Sequence, residues 1–126
     1  MKPYIIAAIS LISFASSALA ADFNCSIKPP KNTSDSELPN LAKISKSDAQ
    51  KKALAAIKSQ STTVSDSELE SEKGCLVYSF DIKIDNKSGV EEVIVDAGTG
   101  EILSNKHENA LKEVVEKATD KVTKKK

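Results

Sequence analysis

One stretch, from Gly74 to Leu103, restricts the possible folds of this 126-residue chain more than any other. It begins by alternating apolar residues with mostly more polar ones, the period of two expected for a strand with one buried face and one wet face. The apolar positions are Leu76, Tyr78, Phe80, Ile82 and Ile84, and the positions between them are Cys75, Val77, Ser79, Asp81 and Lys83. The alternation therefore predicts a long strand whose apolar face needs a cover.

Two reversals divide the rest of this stretch. The segment from Asp85 to Gly89 contains the Asn and Gly that tolerate the positive φ of a short hairpin loop. Val93 and Val95 then form the apolar side of a second strand, and Ala97-Gly98-Thr99-Gly100 predicts a turn before Glu101-Ile102-Leu103. The stretch as a whole predicts a small antiparallel meander.

The first twenty residues have the features of a signal peptide. Lys2 provides a positive n-region, Tyr4 to Phe14 is an apolar run, and Ala18-Leu19-Ala20 is a small-x-small cleavage site. The run falls short of the ~20 apolar residues that a membrane span needs. We therefore expect cleavage after Ala20, a periplasmic or secreted location, and no stable membrane anchor in the mature protein.

The charge of the chain argues against nucleic acid as a partner. The sequence has 18 basic and 18 acidic residues, so that the loss of Lys2 with the signal peptide leaves a formal charge of −1. Every basic residue is a lysine, and the arginine that usually contacts phosphate in a bidentate manner is missing. We expect no nucleic-acid partner.

Two cysteines, Cys25 and Cys75, remain in the mature sequence. An exported protein folds in an oxidising compartment, which predicts a disulfide between them. A redox pair or a metal site is the alternative, but the 49 intervening residues exclude a Cys-x-x-Cys dithiol, and two thiolates with one histidine make a poor zinc set. Closing so long a loop stabilises a fold by roughly 4 kcal/mol in a chain-entropy estimate.

An irregular arm and a helix come before the meander. Residues 21–42 contain Pro29-Pro30 and Pro39, which prevent a regular helix, so this arm is expected to be tethered through Cys25. Ser45 is a predicted N-cap, and the helix should run to about Lys58. Its apolar side consists of Ala49, Ala53, Leu54, Ala56 and Ile57. So many alanines allow a helix to approach the Leu76, Tyr78 and Phe80 face of a sheet closely.

An acidic segment links that helix to the meander. Val64 to Glu70 is a candidate first strand, and the acidic residues around it are Asp66, Glu68, Glu70 and Glu72. We interpret this run as a solvated face or a protected sheet edge. A calcium site or a site for a basic partner is the alternative, although the spacing matches no EF-hand loop.

Residues 104–126 predict a second, amphipathic helix that ends in a lysine tail. Asn105 is its expected cap, with Glu108 three residues later, and the helix should continue to about Thr123. Its apolar stripe is Leu111, Val114, Val115, Ala118 and Val122. His107, the only histidine, then lies in the first helical turn and is exposed to solvent. The mixed polar face favours packing on the domain or on a partner over lying on a membrane.

The sequence contains no recognisable catalytic constellation. It has no Gly-x-Ser-x-Gly elbow, and Gly98-Thr99-Gly100 lacks the lysine and the following helix of a phosphate loop. Glu91 and Glu92 should point to opposite faces of the sheet, so that they cannot share a substrate. We expect no enzymatic activity, no cofactor and no metal site.

Three segments together resemble the PepSY domain. They are Ile44-Ser45-Lys46-Ser47-Asp48-Ala49, Val77-Tyr78-Ser79-Phe80-Asp81-Ile82, and the stretch from Val93 to Leu103. The resemblance covers about Lys43 to Leu103, and its closing Val-Asp-Ala-x-Thr-Gly-Glu-Ile-Leu segment is the most specific part. It implies an α+β module, a meander of three to four strands packed against the Ala-rich helix, without catalytic residues. The arm and the C-terminal helix lie outside it.

PepSY domains occur in propeptides of thermolysin-like metallopeptidases and as single exported domains proposed to regulate peptidases. The resemblance therefore implies a non-enzymatic binding module that inhibits or modulates an extracytoplasmic peptidase. A sheet edge or the turn would be the contact, and the turn comprises Asp96, Ala97, Gly98, Thr99 and Gly100. The alternative is a structural or small-ligand-binding protein of the cell envelope that uses the groove between the Ala-rich helix and the meander.

Overall fold

The computed structural model of the chain describes residues 23–59 and 61–109, so the predicted signal peptide and the stripe from Leu111 to Val122 lie outside the described residues. The elements are a 3-10 turn at Leu38–Asn40, helix α1 at Lys46–Ala56, and strands β1 at Thr62–Glu72, β2 at Cys75–Ile84, β3 at Val90–Asp96 and β4 at Ile102–Glu108. The strands form one antiparallel sheet in the order β1-β2-β3-β4. The predicted α+β class and its meander are confirmed, with four strands.

Helix α1 begins and packs as its sequence predicts. The Ser45 hydroxyl accepts a hydrogen bond from the backbone N–H of Asp48 at 3.0 Å, which makes Ser45 the N-cap. Ala49 and Ala53 are fully buried against the sheet, because their small side chains let the helix axis come close. The helix ends at Ala56, two residues before the predicted end. Within the described ranges, no helix has the length and apolar character needed to cross a bilayer.

The main core lies between α1 and the sheet. Its buried residues are Leu38, Ala49, Ala53, Ile57, Leu76, Tyr78, Phe80, Ile82, Val93, Val95 and Ala97. The Tyr78 ring stacks on Phe80 with 6.3 Å between ring centroids, and its hydroxyl donates a hydrogen bond to the Ile44 carbonyl at 2.9 Å. Burial raises the pKa of Tyr78, so that the hydroxyl stays protonated as a donor. This bond fixes the chain just before α1.

Two tight loops connect the first three strands. The predicted loop from Asp85 to Gly89 is confirmed, with positive φ at Asn86 (63°) and Gly89 (77°). A two-residue turn at Lys73 and Gly74 joins β1 to β2, with φ of 49° and 77°, the pair of positive values that a type I′ hairpin turn requires. The Lys-Gly pair was not identified as a hairpin from the sequence.

The outer face of the sheet, which points away from α1, is less exposed to solvent than the alternation predicted. Cys75, Val77 and Ile94 are at most 1% exposed. They form a second apolar cluster with Phe23, Cys25 and Leu103. The expectation of one wet face is wrong at this end, because the N-terminal arm crosses it and removes these side chains from water.

The predicted start of a second helix at Asn105 is wrong. Strand β4 continues through Glu108, and Asn105 and His107 are paired with Val93 and Glu91 of β3. Backbone hydrogen bonds to a neighbouring strand therefore override the local capping signal. As a result, His107 lies in a strand and not in a helical turn.

Candidate binding surface at the turn between β3 and β4

A disulfide attaches the N-terminal arm to the sheet. Cys25 is bonded to Cys75 at the start of β2, with 5.9 Å between the Cα atoms, as the two cysteines predicted. Two residues along the arm, the carbonyl of Ile27 accepts a hydrogen bond from the backbone N–H of Leu76 at 2.9 Å. The arm thus continues the sheet beyond the end of β3.

The Asp96 carboxylate joins the arm to the turn that follows β3. Asp96 is 1% exposed and accepts hydrogen bonds from the Ser26 N–H at 2.7 Å, the Ser26 hydroxyl at 2.5 Å, the Gly98 N–H at 2.7 Å and the Thr99 N–H at 3.1 Å. Burial alone raises the pKa of Asp96, but these bonds from Ser26, Gly98 and Thr99 outweigh burial and hold the pKa below its usual value. The carboxylate is therefore a charged, buried acceptor for neutral donors.

The turn also receives the segment that leads into α1. The backbone N–H groups of Lys43 and Ile44 both donate to the Ala97 carbonyl, at 2.9 and 3.1 Å. A side chain at Gly98 would collide with the Ser26 hydroxyl, which would have to move from its hydrogen bond with Asp96. Gly100 has a φ of +78°, a conformation that favours glycine. The turn is the junction of the arm, α1 and the sheet.

The five turn residues predicted as a contact differ in their accessibility. Asp96, Ala97 and Gly100 are buried, Gly98 is half-buried, and Thr99 is exposed. The buried members hold the turn in place, and the accessible positions are Thr99 and the exposed Glu101 that follows the turn.

A groove of about 310 Å³ adjoins this turn along β4. It is lined by Phe23, Asn24, Lys73, Glu101, Ile102, Leu103, Ser104 and Lys106. The ammonium of Lys73 lies 4.7 Å from the centroid of the Phe23 ring, a cation–π contact. The lining combines apolar side chains with two ammonium groups and one carboxylate, that of Glu101, and its net positive charge favours a ligand that carries an apolar group and a carboxylate.

Sequence reasoning missed the groove, because its walls come from the arm, the β1–β2 turn and β4. In the sequence these parts are separated by tens of residues. The one signal that brings Phe23 close to Lys73 is the predicted Cys25–Cys75 bond, since each residue lies two positions before a bonded cysteine.

A second charged cluster lies at the opposite end of the sheet. The Glu91 carboxylate accepts a hydrogen bond from Lys87 Nζ at 2.8 Å, and His107 Nδ1 lies 2.8 Å from the same oxygen. The bond from Lys87 lowers the pKa of Glu91 most, burial raises it, and His107 lowers it further, with a net decrease. His107, which we expected to be an exposed surface residue without partners, thus links β4 through Glu91 to the β2–β3 loop.

The acidic residues of β1 lie along an edge strand. Asp66, Glu68, Glu70 and Glu72 share the outer face, as their pairing with β2 requires. This is the position that the protected-edge interpretation predicts. Among residues 23–59 and 61–109, no group of three or more His, Cys, Asp or Glu side chains is placed to hold a metal ion.

Comparison with protein families gives a match over about half of the chain. The family model described as "PepSY: Peptidase propeptide and YPEB domain" matches residues 43–106. The matched range contains α1, the first three strands, most of β4 and the whole turn. Neither the curated proteins nor the solved structures contain a significant match.

Proposed function

The chain belongs to the PepSY family, and on that premise we propose that it is an exported, non-catalytic binding module that modulates an extracytoplasmic peptidase. PepSY domains are generally propeptide or regulatory modules without catalytic groups, and they are commonly extracytoplasmic. The observation that carries the proposal is the groove along β4, directly beside the turn that the family motif forms.

The proposed contact is the outward edge of β4 together with Thr99 and Glu101. Within the described residues, β4 is hydrogen-bonded to β3 alone, so that its other edge is open to an extended segment of a partner. Strand addition of this kind gains affinity from backbone hydrogen bonds and specificity from pockets for alternate side chains. The groove supplies such a pocket beside the added strand.

The lining of the groove favours one class of partner segment. An apolar side chain would pack on Phe23 and Leu103, and a neighbouring carboxylate would meet Lys73 and Lys106. Asp96 would not touch the partner. Its part is to position the turn and the arm, and the arm contributes Phe23 to the lining of the groove.

Inhibition assays with proteases from the host envelope test this function. We expect the purified mature protein to slow one of these proteases and to co-purify with it. The Lys106→Glu variant should weaken both effects by about tenfold, which corresponds to the ~1.4 kcal/mol of one charged contact. Lys83→Glu is the matched control, because Lys83 is exposed on β2 and lies outside the groove. The proposal fails if no protease is inhibited and none co-purifies.

A small-ligand protein of the cell envelope is the second candidate, and the volume of the groove favours it. The groove lies on the opposite side of the sheet from the one expected between α1 and the meander, where Ala49 and Ala53 are fully buried. Thermal-shift screening against peptides and cell-wall fragments separates the two functions. A ligand-dependent rise in Tm that Lys106→Glu removes, without any protease effect, would favour this candidate.

A further inference from the structure

The side of the domain that α1 covers is basic. Ala49 and Ala53 are fully buried against the sheet. Lys51 is two residues away from each, so that it points away from the sheet. We call the exposed residues of this side the basic surface. Its charged members between residues 43 and 58 are five lysines and one carboxylate: Lys43, Lys46, Lys51, Lys52 and Lys58, with Asp48.

The charges of these lysines are not neutralised by neighbouring carboxylates. In the part of the chain that the structure describes, the salt bridges belong to Glu91, which pairs with Lys87 and His107 at the hairpin end of the sheet. The aliphatic stem of Lys52 lies beside the turn, where a side chain at Gly100 would collide with it. The five ammonium groups are therefore available to an external negative surface.

The opposite side of the sheet carries the opposite charge. The accessible charged residues of the strands on the outer face are six carboxylates and two lysines: Asp66, Glu68, Glu70, Glu72, Asp81 and Glu92, with Lys83 and Lys106. The domain is thus positive on the side of α1 and negative on the outer face. At a negatively charged surface such a molecule takes one orientation, although acidic and basic residues are equal in number over the whole chain.

The composition of the basic surface suits a lipid bilayer better than a protein partner. Protein interfaces are enriched in aromatic residues and arginine and depleted of lysine. Between residues 43 and 58, every exposed cation is a lysine and no exposed residue is aromatic. A lysine is a compact charge that needs no geometric match, and each lysine near an anionic bilayer strengthens binding about fivefold.

We propose that the basic surface binds the domain reversibly to anionic phospholipid bilayers, with α1 lying along the membrane. The contact is electrostatic, because Ala55 is the only apolar residue exposed between residues 43 and 58 and offers nothing to insert into hydrocarbon. Leu103 and Ser104 place the groove on the outer side of the sheet, so that it faces away from the bilayer. The lipid site and the proposed peptidase site are separate claims, since they lie on opposite sides of the sheet.

Co-sedimentation of the purified mature protein with lipid vesicles tests the binding. We expect binding to vesicles of equal parts phosphatidylglycerol and phosphatidylcholine, and none to vesicles of phosphatidylcholine alone. Binding should disappear in about 1 M NaCl, where the Debye length falls to about 3 Å. Equal binding to both kinds of vesicle, binding that persists in salt, or no binding to either would overturn the proposal.

Variants that neutralise lysines locate the contact. Lys51→Gln with Lys58→Gln should weaken binding to the phosphatidylglycerol vesicles about 25-fold, fivefold for each lysine. Lys83→Gln with Lys106→Gln is the matched control, because it removes the same charge from the outer face and should leave the binding nearly unchanged. Equal weakening by the two pairs would mean that only the net charge matters, and would overturn the proposal.

The lysines at the C-terminus need a control of their own, since residues 110–126 contain six of them. A triple variant with Lys124→Gln, Lys125→Gln and Lys126→Gln should still bind the vesicles. Loss of binding in this variant, with none in the Lys51→Gln and Lys58→Gln pair, would assign the contact to the C-terminus and overturn the proposal.

Protease inhibition in the absence of vesicles separates this proposal from the proposed function. The Lys51→Gln and Lys58→Gln pair should inhibit as well as the wild type, because both residues lie outside the groove. A protein that binds vesicles but inhibits no protease would refute the peptidase function alone. A loss of inhibition in this pair would show that the basic surface contacts the peptidase, and would overturn its assignment to lipid.

Discussion

The two ends of β3 each hold a buried carboxylate, and they hold it in opposite ways. At the turn end, Asp96 is surrounded by neutral donors, three backbone N–H groups and one hydroxyl. At the hairpin end, Glu91 is held by the ammonium of Lys87 and the ring of His107, whose side chains are 51% and 39% exposed.

The turn end of β3 is therefore held by fixed contacts. The hairpin end is tunable, because its contacts weaken as the ionic strength rises. The donors to Asp96 belong to the backbone or to an arm that a disulfide restrains, so that salt cannot screen them and little entropy is lost in holding them. The partners of Glu91 are mobile charged side chains, whose attraction falls with ionic strength. The turn beside Asp96 therefore keeps its shape over a wide range of conditions.

Of the changes that test this comparison, removal of the disulfide should lower the free energy of unfolding the most. Cys25→Ser with Cys75→Ser should lower the free energy of unfolding by roughly 4 kcal/mol, because the closed loop restricts the unfolded chain. The free arm would also uncover Val77 and Ile94. Urea unfolding of both proteins at pH 7 measures the loss. Reduced wild-type protein is the control and should match the double variant, and a loss below about 1 kcal/mol would show that the arm is held without the bond.

The Asp96→Ala substitution should come next, at about 3 kcal/mol. It leaves the N–H groups of Ser26, Gly98 and Thr99 without their acceptor, and these groups lie in a partly buried turn. Asp96→Asn keeps one carbonyl oxygen as an acceptor and should lose roughly half as much. Denaturant unfolding gives both values, and equal losses in the two variants would mean that the charge of Asp96 stabilises the turn more than its geometry does.

The meander was predictable because local chemistry determines it. The alternation of apolar and polar residues predicted β2, and Asn86 and Gly89 predicted the hairpin loop that follows it. Ser45 gave the start of α1. The buried role of Asp96 and the groove at Phe23 were not predictable, since they depend on where the arm crosses the sheet. At His107, the pairing of β4 with β3 overrode a local helix signal.

Glu91→Gln should have a smaller effect than either change at the turn end, about 1 kcal/mol at low salt. Gln still accepts a hydrogen bond from Lys87, but the attraction between opposite charges is lost. In 1 M NaCl the difference between variant and wild type should shrink, whereas the loss in Asp96→Asn should persist. Urea unfolding at the two salt concentrations gives four values, and an equal response to salt at the two ends would refute the distinction between them.

The smallest change, Lys87→Met, tests the cause of the Glu91 shift. Lys87 is half exposed, so that its loss should cost below about 0.5 kcal/mol at pH 7. Because the folded-state pKa of Glu91 is lowered, its contribution to stability is complete above the unfolded value of about 4.3 and is lost as pH falls through the folded pKa. Without Lys87 that pKa should rise toward the unfolded value, and less stability should be lost on acidification.

NMR titration of the side-chain carboxyl carbons measures this shift directly. In Lys87→Met the pKa of Glu91 should increase while that of Asp96 stays low, since the donors to Asp96 are neutral and lie at the other end of β3. Lys83→Met is the matched control, because Lys83 is exposed on the outer face and should leave both values unchanged. An unchanged Glu91 pKa in Lys87→Met would assign the shift to His107, and the tunable end of the sheet would then depend on the histidine of β4.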